Sequence, residues 1–184
     1  MYAFLLALGV VFLAELGDKS QLLALTLAAR RPAAQVLLGV GLAALVLQGL
    51  SAGLGAALAS AVPTSTVQLI AGLSFFVAAL LTLRSKDDER PVTPARAGST
   101  VLLSFAALFV AELGDKTMLA SAALAAREGP LMVWLGGTAG FVLADALAVV
   151  VGTALFRRLP VRGVRLGTAA LFAVLGTVLL LGLL

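Results

Sequence analysis

The chain has 184 residues, of which 61% are hydrophobic and 12% are charged, and its formal net charge is +4. Soluble domains have roughly half apolar and a quarter charged residues, so this composition and the mean hydropathy of +1.13 exclude a water-soluble globular domain. The basic residues stand beside apolar runs, which excludes a separate nucleic-acid surface. The absence of Cys and His excludes disulfides, thiolates and imidazole ligands, so any metal must be bound by oxygen or by Met sulfur.

Six apolar runs follow in chain order. Each has roughly the 17–25 residues that a helix needs to cross a membrane, and a helix satisfies its own backbone hydrogen bonds in lipid. The first run has no basic start and extends beyond a signal-peptide core, so we expect a retained span and no cleavable signal peptide. The predicted fold is an all-α membrane protein with six transmembrane helices, at residues 2–29, 36–61, 66–83, 100–126, 131–155 and 166–184.

The basic residues of the loops predict the orientation of these spans. Ten Lys and Arg residues fall in the loops on one side of the membrane, whereas the loops on the other side have only Arg127. Short loops rich in basic residues remain in the cytoplasm, so both termini are predicted to lie outside the cell (inner) membrane. The charged stretch 84–98 contains two prolines and is predicted to be a cytoplasmic linker between residues 1–83 and 99–184.

The chain contains an internal repeat. Residues 12–20 recur as residues 109–117, at an offset of 109 − 12 = 97 residues. Each half then has three spans, an odd number, so the second half must enter the membrane from the opposite side. We therefore predict two inverted-topology three-helix repeats, an architecture of secondary transporters whose sites lie near the bilayer midplane. The same offset matches Gly39 with Gly136 and Phe75 with Phe172.

Each repeat carries a Glu-x-Gly-Asp-Lys motif near the middle of its first span. The Glu and the Asp are three residues apart, which would place both carboxylates on one face of a helix. Four such acids in lipid cost on the order of 10 kcal/mol before any compensation, so we expect a bound cation to offset them. Carboxylate, carbonyl and hydroxyl oxygens suit Mg²⁺, Ca²⁺ and Mn²⁺. The predicted metal ligands are Glu15, Asp18, Glu112 and Asp115.

Residues that follow the motifs are further candidate ligands. Neutral oxygens are available from Ser20, Gln21 and Thr117. Met118 offers sulfur at the position that matches Gln21, and it either reaches the ion or packs against a neighbouring helix. A sulfur ligand would favour Mn²⁺ over Ca²⁺, which prefers six to eight oxygens. The motif glycines let the backbone approach a ligand, and freed carbonyls would join the carboxylates, as in discontinuous transporter helices.

Four other polar residues have more than one reading. Asp145, in the fifth span, matches Gln48 in the repeat, and it either lines the cation path or pairs with a motif lysine. Lys19 and Lys116 are predicted to act as counter-ions or gating residues, or to extend to the membrane interface. A purely structural reading, in which the motif acids only pair with these lysines and fix helix packing, also remains open.

The two motifs resemble those of the family of Golgi and bacterial manganese/calcium exporters that includes transmembrane protein 165, in the lysine-exporter superfamily. The family's mark is Glu-x-Gly-Asp-(Lys/Arg)-(Ser/Thr) in the first span of each half, and it is found here at residues 15–20 and 112–117. The resemblance covers essentially the whole chain and implies export of Mn²⁺ or Ca²⁺ in exchange for protons, with the four motif acids as ligands. Family motifs commonly continue with Gln in both halves, whereas this chain has Met118 in the second.

The sequence leaves several functions to be distinguished. A cation/proton antiporter is the expected function, and a passive divalent-cation channel or an exporter of a small organic solute are the alternatives. Clustered acids would repel a carboxylate solute, which argues against the last. No nucleophile–base pair is visible, so an enzyme is not expected. The expected partners are a divalent cation, protons and the lipid bilayer, without nucleic acid and without a cofactor, because the cation is the transported substrate.

Overall fold

The structure is a computed structural model that describes residues 1–84, 99–156 and 161–181; within these ranges the description leaves out the side chains of Lys19, Thr64 and residues 152–156, 161, 162, 164 and 165. The predicted linker 84–98 therefore lies almost entirely outside the described residues. The described residues form helices and contain no strand. The eight helices are α1 (Tyr2–Glu15), α2 (Lys19–Ala28), α3 (Ala33–Ala61), α4 (Thr64–Arg84), α5 (Thr100–Glu112), α6 (Lys116–Glu128), α7 (Pro130–Phe156) and α8 (Val161–Leu180).

Six predicted spans give eight helices because the first and the fourth are each interrupted at the motif. α1 and α2 are separated by three residues, 16–18, and α5 and α6 by residues 113–115. The other four predicted spans correspond to α3, α4, α7 and α8. The interruption also shortens the helices: α1 has 14 residues and is about 21 Å long at 1.5 Å per residue, less than the ~30 Å hydrocarbon core.

The outside of the molecule is apolar, and buried polar side chains lie inside it. Large apolar side chains such as Leu38, Leu54 and Val150 are exposed, whereas Glu15, Glu112 and Asp145 are at most 1% exposed. Within the described residues, the helices long and apolar enough to cross a membrane are three: Ala33–Ala61, Ser65–Arg84 and Pro130–Val151. Shorter apolar helices are Tyr2–Glu15, Thr100–Glu112 and Leu166–Leu180. Such a surface suits lipid and does not suit water.

Helices of the two halves pack against each other more than within a half. α1 packs against α7, and the matched pair in the other half is α5 against α3. α4 packs against α8, where the matched rings of Phe75 and Phe172 have centroids 5.8 Å apart and are both fully buried. One pairing has no equivalent: α4 packs against α6, whereas α8 and α2 have at most a slight contact in the described part of the chain.

Matched glycines bring these helices into backbone contact. A Cβ added at Gly39 of α3 would lie 2.5 Å from the Val101 carbonyl oxygen of α5, and one added at Gly136 of α7 would lie 2.2 Å from the Phe4 carbonyl oxygen of α1. Both distances are too short for any other residue, so the glycines permit close packing, as small residues do in membrane helix pairs. Val101 and Phe4 are themselves 97 residues apart, so the two contacts are equivalent.

Candidate metal centre

Each motif forms the same backbone turn. α1 ends at Glu15, the N–H of Asp18 donates to the Glu15 carbonyl oxygen at 3.1 Å, and α2 begins at the next residue. In the second motif the N–H of Asp115 donates to the Glu112 carbonyl oxygen at 3.0 Å. The φ angles of the intervening Gly17 and Gly114 are +73° and +79°, a left-handed conformation that glycine adopts at little cost. The glycine of the motif is therefore what allows the helix to stop and restart.

This turn shows that the Glu and the Asp of a motif are not arranged on one helix face as the sequence predicted. The Glu and the Asp of a motif do not share a face of one continuous helix, because the helix ends at the Glu and resumes after the Asp. They are brought together by the turn instead. The expected discontinuity at the motif glycines is present in both halves.

Carboxylates from both halves meet at one point. Glu15, Asp18 and Glu112 each offer an oxygen atom, and these atoms all lie within 4.8 Å of one another. Glu15 is fully buried, Glu112 is 1% exposed and Asp18 is partly buried. The two motifs, 97 residues apart in the chain, thus contribute to a single cluster.

Lys116 connects the two halves of this cluster. Its ammonium group forms an ion pair with Asp18 of the first motif and lies 3.9 Å from the carboxylate of Asp115, beside it in the chain. The lysine side chain is only 6% exposed, so its charge is held inside the molecule. Of the predicted counter-ions, Lys116 is thus placed at the acids, and the Lys19 side chain lies outside the described residues. The pairing of Lys116 with the aspartate of the opposite half could not be predicted from the sequence, because the two motifs have the same spacing.

The hydroxyl and amide candidates lie next to the cluster. Ser20 donates a hydrogen bond from Oγ to Glu15 Oε2 at 2.7 Å, and the matched Thr117 is also buried. Gln21 is fully buried; its Oε1 accepts from the Gly17 N–H at 2.7 Å, and its Nε2 donates to the Ala144 carbonyl oxygen of α7 at 2.8 Å. In the second half, Met118 Sδ accepts from the Gly114 N–H at 3.2 Å. Gln21 and Met118 both contact their own motif glycine.

Asp145 and Gln48 are buried but separate from these contacts. Neither carboxylate oxygen of Asp145 has a hydrogen-bond partner among the described residues, although the side chain is fully buried and in electrostatic range of Glu15 and Asp18. The ion pairs of Lys116 are with Asp18 and Asp115, not with Asp145. Gln48 Oε1 lies against Gly137 of α7, 2.7 Å from where a Cβ at that glycine would stand.

The donor set suits a hard divalent cation. Four motif carboxylates and one described lysine leave an excess of negative charge, and the oxygens come from carboxylate groups with a hydroxyl nearby. Such oxygens are the ligands of Mg²⁺, Ca²⁺ and Mn²⁺. The helix interruptions add main-chain groups close to the acids, as in transporters with discontinuous helices.

Comparison with known proteins identifies the family. The model of the divalent cation/proton antiporter GDT1 family matches residues 3–90 and 100–183 of this chain. The chain belongs to this family. It is accordingly a membrane transporter rather than an enzyme, and the cation is its transported substrate rather than a cofactor.

Three relatives match nearly the full length of this chain. A Vibrio cholerae protein named "Putative manganese exporter" is 32% identical over 94% of this chain and 87% of its own length. GDT1-like protein 5 of Arabidopsis thaliana is 30% identical over 96% of this chain and 94% of its own length. The chloroplastic protein PAM71 of the same plant is 32% identical over 96% of this chain, which spans 55% of that protein. No solved structure matches the chain.

Proposed function

We propose that this GDT1-family member exports Mn²⁺ from the cytoplasm in exchange for protons, with Ca²⁺ as a second substrate, by alternating access around the carboxylate cluster. Glu15, Asp18, Glu112 and Asp115 are the proposed ligands. The observation that carries the proposal is the meeting of Glu15 and Asp18 with Glu112: buried acids from two distant motifs have an oxygen each within 4.8 Å. Purely structural ion pairing would match each carboxylate with one basic group. Among the described side chains, the carboxylates of this cluster outnumber the basic groups, of which Lys116 is the one shown.

The preference for Mn²⁺ is supported by the relative named as a manganese exporter, whereas the oxygen-rich donor set suits Mn²⁺ and Ca²⁺ alike. Met118 gives less support for Mn²⁺ than its sequence position suggested, because its sulfur accepts a hydrogen bond from the Gly114 N–H. Sulfur is a weak acceptor, so this contact does not prevent ion binding, but it gives Met118 another role. The remaining candidates, Ser20, Gln21, Thr117, Gln48 and Asp145, are proposed to line or support the site.

Alternating access is supported by the repeated architecture. We propose that the two halves are inverted-topology repeats of three spans, residues 1–83 and 99–184, joined by a cytoplasmic linker. The equivalent contacts at Gly39 and Gly136 and the meeting of Phe75 with Phe172 agree with a pseudo-two-fold relation between the halves. Transporters of this type bind their substrate between the repeats, and this cluster combines acids from both halves.

Proton exchange follows from competition for the same oxygens. Metal binding requires ionised carboxylates, so a proton on Glu15 or Glu112 removes a ligand, and a bound cation excludes that proton. Binding of Mn²⁺ should weaken as the pH falls. Each side of the membrane can then exchange one occupant for the other.

Mn²⁺ flux in proteoliposomes tests the proposal. An imposed pH gradient should drive Mn²⁺ uptake, and a Mn²⁺ gradient alone should move protons in the opposite direction. Liposomes with Glu112→Gln should show neither flux. Mn²⁺ flux that neither responds to a pH gradient nor creates one would indicate a passive channel and would contradict the exchange.

Single cysteines test the proposed orientation, because the chain has none of its own. Ser60 and Ser99 are exposed, and the predicted topology places them on opposite sides of the membrane, Ser60 outside and Ser99 in the cytoplasm. An impermeant thiol reagent added to intact cells should label Ser60→Cys and leave Ser99→Cys unlabelled. The reverse pattern would overturn the orientation with both termini outside.

A further inference from the structure

Gln21 uses both ends of its amide. Its oxygen holds the Gly17 N–H at the helix interruption, and its nitrogen holds the Ala144 carbonyl oxygen in the middle of α7. A glutamine three positions into a helix that reaches back to a preceding N–H resembles a capping box. Here the cap is also attached to a helix of the opposite half, so the first interruption is fastened to α7.

Met118, at the matched position, can accept a hydrogen bond from its motif glycine but cannot donate one to the facing helix. Its sulfur accepts from the Gly114 N–H, but a thioether has no hydrogen to donate. The carbonyl that matches Ala144 is that of Leu47 in α3, and it accepts a hydrogen bond from Ser51 Oγ of its own helix at 2.9 Å. The matched position to Ser51 is Ala148, which has no hydroxyl. The Leu47 carbonyl of α3 is therefore bound by Ser51 of its own helix, whereas its counterpart, the Ala144 carbonyl of α7, is bound by Gln21.

We infer that Gln21 is a positioning residue that fixes the first carboxylate pair to α7, and that the second interruption lacks this attachment to α3. The inference deepens the proposed function, on which its consequence for transport rests. Gly17 lies between Glu15 and Asp18, so holding its N–H holds both acids. Glu15 is held a second time by Ser20. The two turns thus differ in one attachment: Gln21 joins the first turn to α7, whereas Met118 can form no matching hydrogen bond to α3.

Hydrogen exchange of the motif glycine amides tests the attachment without any cation. The full chain labelled with ¹⁵N-glycine is compared with Gln21→Met and Met118→Gln. Gln21→Met copies the arrangement of the second half: it keeps an acceptor for Gly17 and loses the donor to Ala144. Loss of one hydrogen bond with its anchor should speed exchange of the Gly17 amide about tenfold. Gly114 exchange should be unchanged in this variant, and Met118→Gln should slow it.

Each amide is compared with itself, so the greater exposure of Gly114 does not affect the result. Unchanged Gly17 exchange in Gln21→Met would overturn the inference, as would equal acceleration of both amides, which would indicate general loosening of the fold.

Transport kinetics test whether the attachment positions the ligands. In proteoliposomes with equal amounts of folded protein, Gln21→Met should raise the KM for Mn²⁺ about three- to tenfold and change kcat less than about twofold. A lower kcat at unchanged KM would contradict positioning. If the wild-type chain moves no Mn²⁺, the proposed function fails, and the exchange experiment still decides whether Gln21 fastens the interruption.

Discussion

The two motif turns have the same backbone and different side-chain surroundings. Both place a left-handed glycine between a Glu that ends one helix and an Asp that precedes the next. In the first, Gln21 joins the turn to α7. In the second, Met118 accepts a hydrogen bond from Gly114 of its own turn, and Lys116 extends to the opposite Asp18. The repeated sequence therefore specifies a repeated turn, while the residues beside it make the two halves of the site unequal.

The largest expected effect is the loss of a buried Glu from either half. Glu15→Gln and Glu112→Gln should each reduce Mn²⁺ transport on the order of 100-fold or more, because truncating a buried charged partner costs about 2–5 kcal/mol. Flux in proteoliposomes measures this. Glu128→Gln, at the far end of α6, is the matched control and should transport normally. Normal transport by Glu112→Gln alone would restrict the site to the first half.

Removing the lysine that joins the halves should affect stability. Lys116→Met removes a buried positive charge that pairs with Asp18, which should destabilise the cation-free protein by about 3–5 kcal/mol. Added Mn²⁺ should then raise the Tm of this variant more than that of the wild type, because it supplies the missing charge. Arg127→Met is the control, since Nε and Nη1 of Arg127 have no hydrogen-bond partner among the described residues. Equal Mn²⁺-induced Tm shifts in Lys116→Met and the wild type would show that the lysine does not share the cation's place.

The glycine contacts test whether the two halves pack equivalently. Gly39→Ala and Gly136→Ala should each lower the free energy of unfolding by about 1–3 kcal/mol, because the added methyl group meets a backbone oxygen. Thermal unfolding in detergent measures both. Gly53→Ala, with nothing within 4 Å of its added Cβ, should be neutral. A large difference between Gly39→Ala and Gly136→Ala would break the equivalence of the α3–α5 and α7–α1 contacts.

The smallest expected difference is between the two motif aspartates. Asp18 belongs to the three-acid cluster, whereas Asp115 is placed by its 3.9 Å approach to Lys116. Asp18→Asn should therefore raise the KM for Mn²⁺ about fivefold more than Asp115→Asn, a difference of about 1 kcal/mol. Mn²⁺ titration of initial transport rates measures it. Equal KM values would show that the cation contacts both aspartates alike.

Much of the architecture could be predicted from the sequence, because apolar length and repetition are strong signals. The ends of α3, α4 and α7 fall within a few residues of the predicted runs, and three of the four motif acids, Glu15, Asp18 and Glu112, lie together. The turn itself was only partly predictable: the glycine indicated a loosened backbone, but not that both helices would end at the Glu. Partners across the molecule, such as Lys116 with Asp18 and Gln21 with Ala144, depend on how helices 97 and more residues apart cross. Local spacing carries no information about such crossings.

The contact between Phe75 and Phe172 has a consequence for how such a chain could be assembled. A residue that packs against its own counterpart lies near the symmetry axis of the pair, so the surface around it must be complementary to a copy of itself. Interfaces of this kind are isologous, as in dimers of identical subunits. The packing of α4 against α8 is thus the kind that two separate, identical chains could form, each corresponding to one half of this sequence.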